Sequence, residues 1–169
     1  MLIFFKMLVL ILILAICTKL GMLKAKSYDN RVVELKKIKN ALEVLKSKIE
    51  FTYEPIKDIF NEISKIIYKE EENIFKETLK SMNSVGVTES WNRAVEKNIN
   101  LNNEDKATVK MFGKLLGKTD KAGQINEINV TSKLLDTLIE KAENEKNKNY
   151  KLFQTLGSVV GIGICIILI

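Results

Sequence analysis

The sequence predicts an all-α protein: an antiparallel six-helix bundle held between an N-terminal and a C-terminal transmembrane helix. Three observations predict it. Lys, Glu, Leu and Ile are abundant, while the 169 residues hold one proline and eight glycines, the profile of helices rather than sheets. Apolar residues in the middle of the chain recur at spacings of three and four, the period that lines one face of a helix. Both ends are apolar runs, so the chain divides into an anchor over residues 1–24, a soluble bundle over 25–151 and a second span over 152–169. The middle is long enough to bury a small core.

The apolar stretch between Lys6 and Lys19 is too short alone for a hydrocarbon layer of about 30 Å. Extended from Leu2 to Leu23 it reaches that length, with both lysines near enough to the ends to snorkel. A secretory signal shows a similar charge-then-apolar pattern, but no small-x-small site follows. In the lipoprotein-like "LAIC", Ile16 is too bulky for the position before the cysteine. An uncleaved anchor is expected. The last run, "LFQTLGSVVGIGICIILI" from Leu152 to Ile169, is about 27 Å long as a helix. Gly157 and Gly161 form a GxxxG face with Gly163 beside it. Such faces let membrane helices approach closely, although glycine is also common in membrane helices without that role.

Between the spans, Leu35, Ile38, Leu42, Leu45 and Ile49 make one stripe along a first helix over Asp29 to Phe51. Pro55 then sits in a first turn, where its missing N–H costs nothing, ahead of Ile56, Ile59, Phe60, Ile63, Ile66 and Ile67 on one face. A third helix runs through "EENIFKETLKSM", and a fourth follows "SVGV", with Thr88 as its cap and Trp91 and Val95 inside it. Asn102 or Asn103 caps the fifth, "EDKATVKMFGKLLG". Gly117 is placed to end that helix in a left-handed conformation, and Thr119 or Asp120 to cap the sixth. The sixth carries Ile125, Ile128, Leu135, Leu138 and Ala142 and enters the last span without a proline or glycine between.

The formal net charge is +6; without Lys6 and Lys19, which lie in the first span, 25 basic groups face 21 acidic ones. Lysine and glutamate are mixed along the chain, so no nucleic-acid partner is expected. There is no histidine, and Cys17 and Cys165 each sit in an apolar end. That argues against a metal cluster, a Cys/His nucleophile or a disulfide framework. Neither a phosphate loop nor a nucleophile elbow occurs, and carboxylates such as Glu62 and Asp136 have no evident catalytic companion. No enzyme activity and no cofactor are expected.

Lys24, Lys26 and Arg31 flank the first span on its inner side, and Lys146, Lys148 and Lys151 flank the second. Both therefore place the middle in the cytoplasm, with Lys6 arguing weakly the other way. Helices joined by short loops lie antiparallel, which puts the junctions near Glu54, Gly86 and Gly117 far from the membrane and those near Lys69 and Asn98 beside it. Lys24, Lys26, Lys69, Lys97, Lys146, Lys148 and Lys151 would then face anionic membrane lipid, unless they are simply solvated. Gly117, Lys118, Thr119, Asp120 and Gln124, in the distal turn, are candidates to contact a partner or to shape the turn. Trp91 reads as core before interface anchor. The run "KEEEN", residues 69–73, reads as a solvated helix start before a docking site for a basic partner.

"SWNRAV", then "FGKLLGKTDKAGQ", then a long helix reaching "LGSVVGIGICIILI" resembles the stage III sporulation protein AB family of endospore-forming bacteria over nearly the whole chain. Trp91, Gly113, Leu116, Gly117, Asp120 and Gln124 carry the resemblance. It implies a subunit of the channel assembled between mother cell and forespore, set in the mother-cell membrane. It also implies a likeness to the cytoplasmic domain of type II secretion and type IV pilus platform proteins. The implied partners are channel proteins, above all the ATPase stage III sporulation protein AA, with an oligomer within the complex as a further possibility. The alternative is a membrane-bound helical signalling or sensory module, although positive-inside placement leaves it almost no external domain.

Overall fold

In a computed structural model, residues 2–52, 54–68, 72–116 and 120–168 are described, and every regular element among them is helical. Six α-helices follow in order: α1 (Leu2–Phe51), α2 (Ile56–Ile63), α3 (Ile74–Val85), α4 (Val87–Lys97), α5 (Asn103–Leu115) and α6 (Lys121–Leu168). A π-helical stretch, Ser64–Tyr68, extends α2. The predicted number of helices and the two long apolar terminal helices are present.

The first bundle helix was expected to begin at Asp29, but α1 runs unbroken from Leu2 to Phe51. "KAKSYD" contains neither glycine nor proline, so nothing stops the ladder there. At α3 the N-cap is Asn73, whose side chain accepts from the Lys76 N–H at 2.9 Å. The helix thus starts at Ile74, later than the "EEN" run suggested; Glu71 lies outside the described residues. Thr88 is not the cap of α4. It lies inside that helix, which begins directly after Gly86, held at φ +84°, a left-handed value that glycine alone adopts cheaply. Asn102 rather than Asn103 caps α5, in a reciprocal capping box with Asp105 (2.9 and 3.0 Å).

Contacts divide the chain into two units, Met1–Val32 with Lys141–Ile169, and Val33–Glu140. This division follows packing; the expected boundaries at 24 and 151 follow solvent, and the two need not coincide.

In the first unit α1 meets α6. The helices come close enough at Gly21 and Gly157 that a Cβ on either would strike the other's backbone, and a Cβ on Gly161 would meet Leu14 and Cys17. Tyr28 stacks on Phe153 with ring centroids 5.8 Å apart. Beyond them Arg31 pairs with Glu145 (2.7 Å) and Lys146 with Asp29 (2.6 Å). The partner numbers on α6 fall as those on α1 rise. Apolar side chains such as Phe4, Ile11, Leu20, Val160 and Ile167 point outward and are exposed.

The second unit holds the aromatic core. Phe60, Phe75, Trp91 and Phe112 form a chain of edge and tilted contacts with centroids 5.1–5.8 Å apart, geometry that adds to burial. Leu35, Ile38, Leu42 and Leu45 of α1 and Ile128, Leu135 and Leu138 of α6 are buried, as their spacing predicts. Ile49, Ile56 and Ile125 are only half-buried. Trp91 is fully buried and donates its indole N–H to the Val109 carbonyl at 2.9 Å. Ile66 departs from the predicted face: it is 55% exposed, while Tyr68 is buried. The π-helical turn is the reason, since a wider turn advances the inward position from Ile63 to Tyr68.

Candidate functional site

The turn between α5 and α6 is built from both sides. On the α5 side, Gly113 lies against the Trp91 indole so closely that a Cβ would sit 2.9 Å from its Cγ. Leu116, the C-cap of α5, is buried. Gly117, Lys118 and Thr119 lie outside the described residues. On the α6 side, Asp120 is exposed and its carboxylate accepts from the Gly123 N–H at 2.9 Å. Its carbonyl accepts from the half-buried Gln124 at 3.0 Å. This is an N-cap, which places a carboxylate against the positive end of a long helix. Lys121, one residue on, donates to the Glu50 carbonyl near the end of α1, so the ends of α1 and α6 meet beside Asp120. Phe51, next to Glu50, is exposed.

The lysines expected at the membrane fall into separate groups. Lys24 lies over the rings of Tyr28 (5.5 Å) and Phe153 (5.9 Å), a cation–π arrangement. Lys146 pairs with Asp29, and Lys26, Lys148 and Lys151 are exposed. These five share one stretch of the paired α1 and α6. Lys97 belongs to the other unit and pairs with Glu77; Lys69 lies outside the described residues. In the terminal helices, Gly157 and Gly161 lie against α1, whereas a Cβ on Gly163 would meet nothing within 4 Å. Gly21, the counterpart of Gly157, escaped the sequence reading because a lone glycine in an apolar run carries no pattern of its own.

A groove of about 510 Å³ opens in the second unit where α3, α4 and the Asn98–Leu101 loop approach α1. Its floor includes Tyr68, Ile74, Ala94 and Glu34, the last only 6% exposed. Asn98 donates to Glu34 at 2.7 Å and the Tyr68 hydroxyl at 3.4 Å. On the wall, Glu77 takes hydrogen bonds from Lys80 (2.8 Å) and Lys97, and these hold its carboxyl below the usual carboxylate range. At the lip, Ile99 is 94% exposed. The π-helical turn that brings Tyr68 inward leaves no apolar period to read, and Glu34 occupies a core-facing position that polarity alone assigns to solvent.

Helices throughout, two of them long and apolar enough to cross a membrane, define a class of membrane-associated helical proteins. The family model for stage III sporulation protein AB matches residues 6–169, and the chain belongs to that family of sporulation proteins. It is 23% identical over 168 residues to Stage III sporulation protein AB of Bacillus subtilis (strain 168), covering 96% of this chain and 98% of that protein. No solved structure matches the chain.

Proposed function

We propose that the chain is a non-enzymatic subunit of the channel between mother cell and forespore, linking membrane components of the channel to the cytoplasmic ATPase stage III sporulation protein AA. In this reading α1 and α6 anchor it in the mother-cell membrane, and its middle is an antiparallel six-helix bundle in the mother-cell cytoplasm. Gly117, Lys118, Thr119, Asp120 and Gln124 present the membrane-distal turn to the ATPase. The observation that carries the reading is the cationic stretch of Lys24, Lys26, Lys146, Lys148 and Lys151 on one length of the α1 and α6 pair. It lies at the inner end of both apolar runs, where the positive-inside rule and anionic lipid favour it.

The test is capture of purified stage III sporulation protein AA by the full chain in detergent, with Asp120→Asn and Asp120→Lys beside the wild type. Asparagine keeps the cap, whereas lysine loses it and reverses the charge. The expected order is wild type, then Asn, then Lys, with Lys lost. Undiminished capture by Asp120→Lys moves the partner surface elsewhere, and no capture by the wild type removes the ATPase from the reading.

A further inference from the structure

The groove beside Glu34 takes no part in the distal turn, and its chemistry points to an occupant. Three independent features converge on it. A carboxylate is held almost out of water with Asn98 and Tyr68, both neutral, among its donors, an arrangement that costs desolvation. An irregular π-helical turn, a form concentrated at functional sites, carries Tyr68 into the floor. The loop bearing Ile99 is pinned on both sides. Asn98 accepts from the Asn100 N–H at 2.9 Å, Leu101 is buried, and Asn102 opens the capping box of α5. An isoleucine 94% exposed on so fixed a loop is presented, not merely tolerated at a mobile tip.

Charge decides what fits. Lys80 and Lys97 on the wall are met by Glu77, and Glu72 adds its field to that of Glu77 at Lys80. Counting Glu34, the lining residues carry three carboxylates against two ammonium groups. Ile74 and Ala94 offer an apolar bed leading to Glu34. A long cationic side chain matches this, its aliphatic stem lying on Ile74 and Ala94 and its head reaching Glu34 and Glu72. We propose that the groove docks a segment of another protein in which an arginine or lysine stands next to an apolar residue, the cation entering toward Glu34 and the apolar side chain packing on Ile99.

The experiment titrates the ¹⁵N-labelled full chain, in nanodiscs of zwitterionic lipid, with acetyl-Leu-Arg-Leu-amide and, as control, acetyl-Leu-Glu-Leu-amide. Saturable shifts confined to the Tyr68, Asn98, Ile99 and Asn100 amides are expected with the arginine peptide alone. Glu72→Lys, at the exposed lip, and Ile99→Ser should each weaken binding about tenfold while leaving the rest of the spectrum unchanged. Glu34→Gln should abolish the preference for arginine over glutamate; if it unfolds the chain, Glu72→Lys alone carries the test. Shifts of equal size with the glutamate peptide, no saturable shift, or full binding by both lip variants would overturn the proposal. So would the same residues responding to anionic lipid in the nanodisc instead of to the peptide, which would assign this face to the membrane.

Discussion

Gly113 shows how much one hydrogen atom in place of a methyl group can decide. The Trp91 indole occupies the space a Cβ would need, and its N–H is spent on Val109 one turn away, so the ring has no room to retreat without leaving that carbonyl unpaired. Gly113→Ala should therefore destabilise the second unit by about 1–3 kcal/mol, the usual cost of overpacking. Equilibrium denaturation followed by tryptophan emission measures it, and because the chain has one tryptophan the signal reports this contact alone. An unchanged midpoint would mean the ring moves freely. At this scale the sequence was legible where a residue type has one use: Asn102 and Asp120 are placed as caps by their chemistry. It was silent where a role belongs to a pair. Nothing in Glu34 foretells Asn98, sixty-four residues away, and the reason Gly113 must be glycine lies in Trp91 on another helix.

Among the elements, the helices themselves were readable because apolar spacing and helix propensity agree along each. Their ends were less so. Thr88 loses to Gly86 because a positive φ ends one helix and starts the next without any cap hydroxyl, a backbone event that side-chain preference does not encode. Ile66 loses to Tyr68 because a π-turn breaks the period on which the reading rests. The pairing of α1 with α6 makes a sharper prediction. A Cβ on Gly161 would lie 3.2 Å from the Cβ of Cys17, slightly inside the range that disulfides span. Gly161→Cys should thus crosslink to the native Cys17 within one chain under mild oxidation, whereas Gly163→Cys, with nothing near its Cβ, should not. Reducing and non-reducing gel mobility after thiol blocking distinguishes the two. Crosslinking between chains instead would mean that the glycine face serves a second copy. Tight backbone approach, aromatic stacking and two ion pairs on one seam also weigh against the sensory alternative, which needs the two helices to slide.

For the whole molecule, family membership covers almost every residue, while the side of the membrane on which the middle stands rests on lysine placement. With Cys17 and Cys165 replaced by serine, Ser84→Cys, at an exposed position late in α3, supplies the check. A membrane-impermeant maleimide should leave it unlabelled in intact cells and label it fully once the membrane is permeabilised. Labelling from outside would invert the topology and with it the assignment of a cytoplasmic partner. The fold class was open to a reader of the sequence because composition and periodicity suffice for helices and spans. Which helix neighbours which was not, since that depends on contacts no local pattern records.

The seam joins Arg31 to Glu145 and Leu10 to Cys165, residues 114 and 155 positions apart. During synthesis α1 leaves the ribosome long before its mate exists, and loop closure over such separations is slow. The nascent first helix must therefore wait in the lipid with its glycine notch unfilled, and the hairpins of the middle are made in the meantime. Completion of the fold is thus tied to arrival of the last helix, a built-in delay during which a chaperone or insertase has a defined and temporary surface to hold.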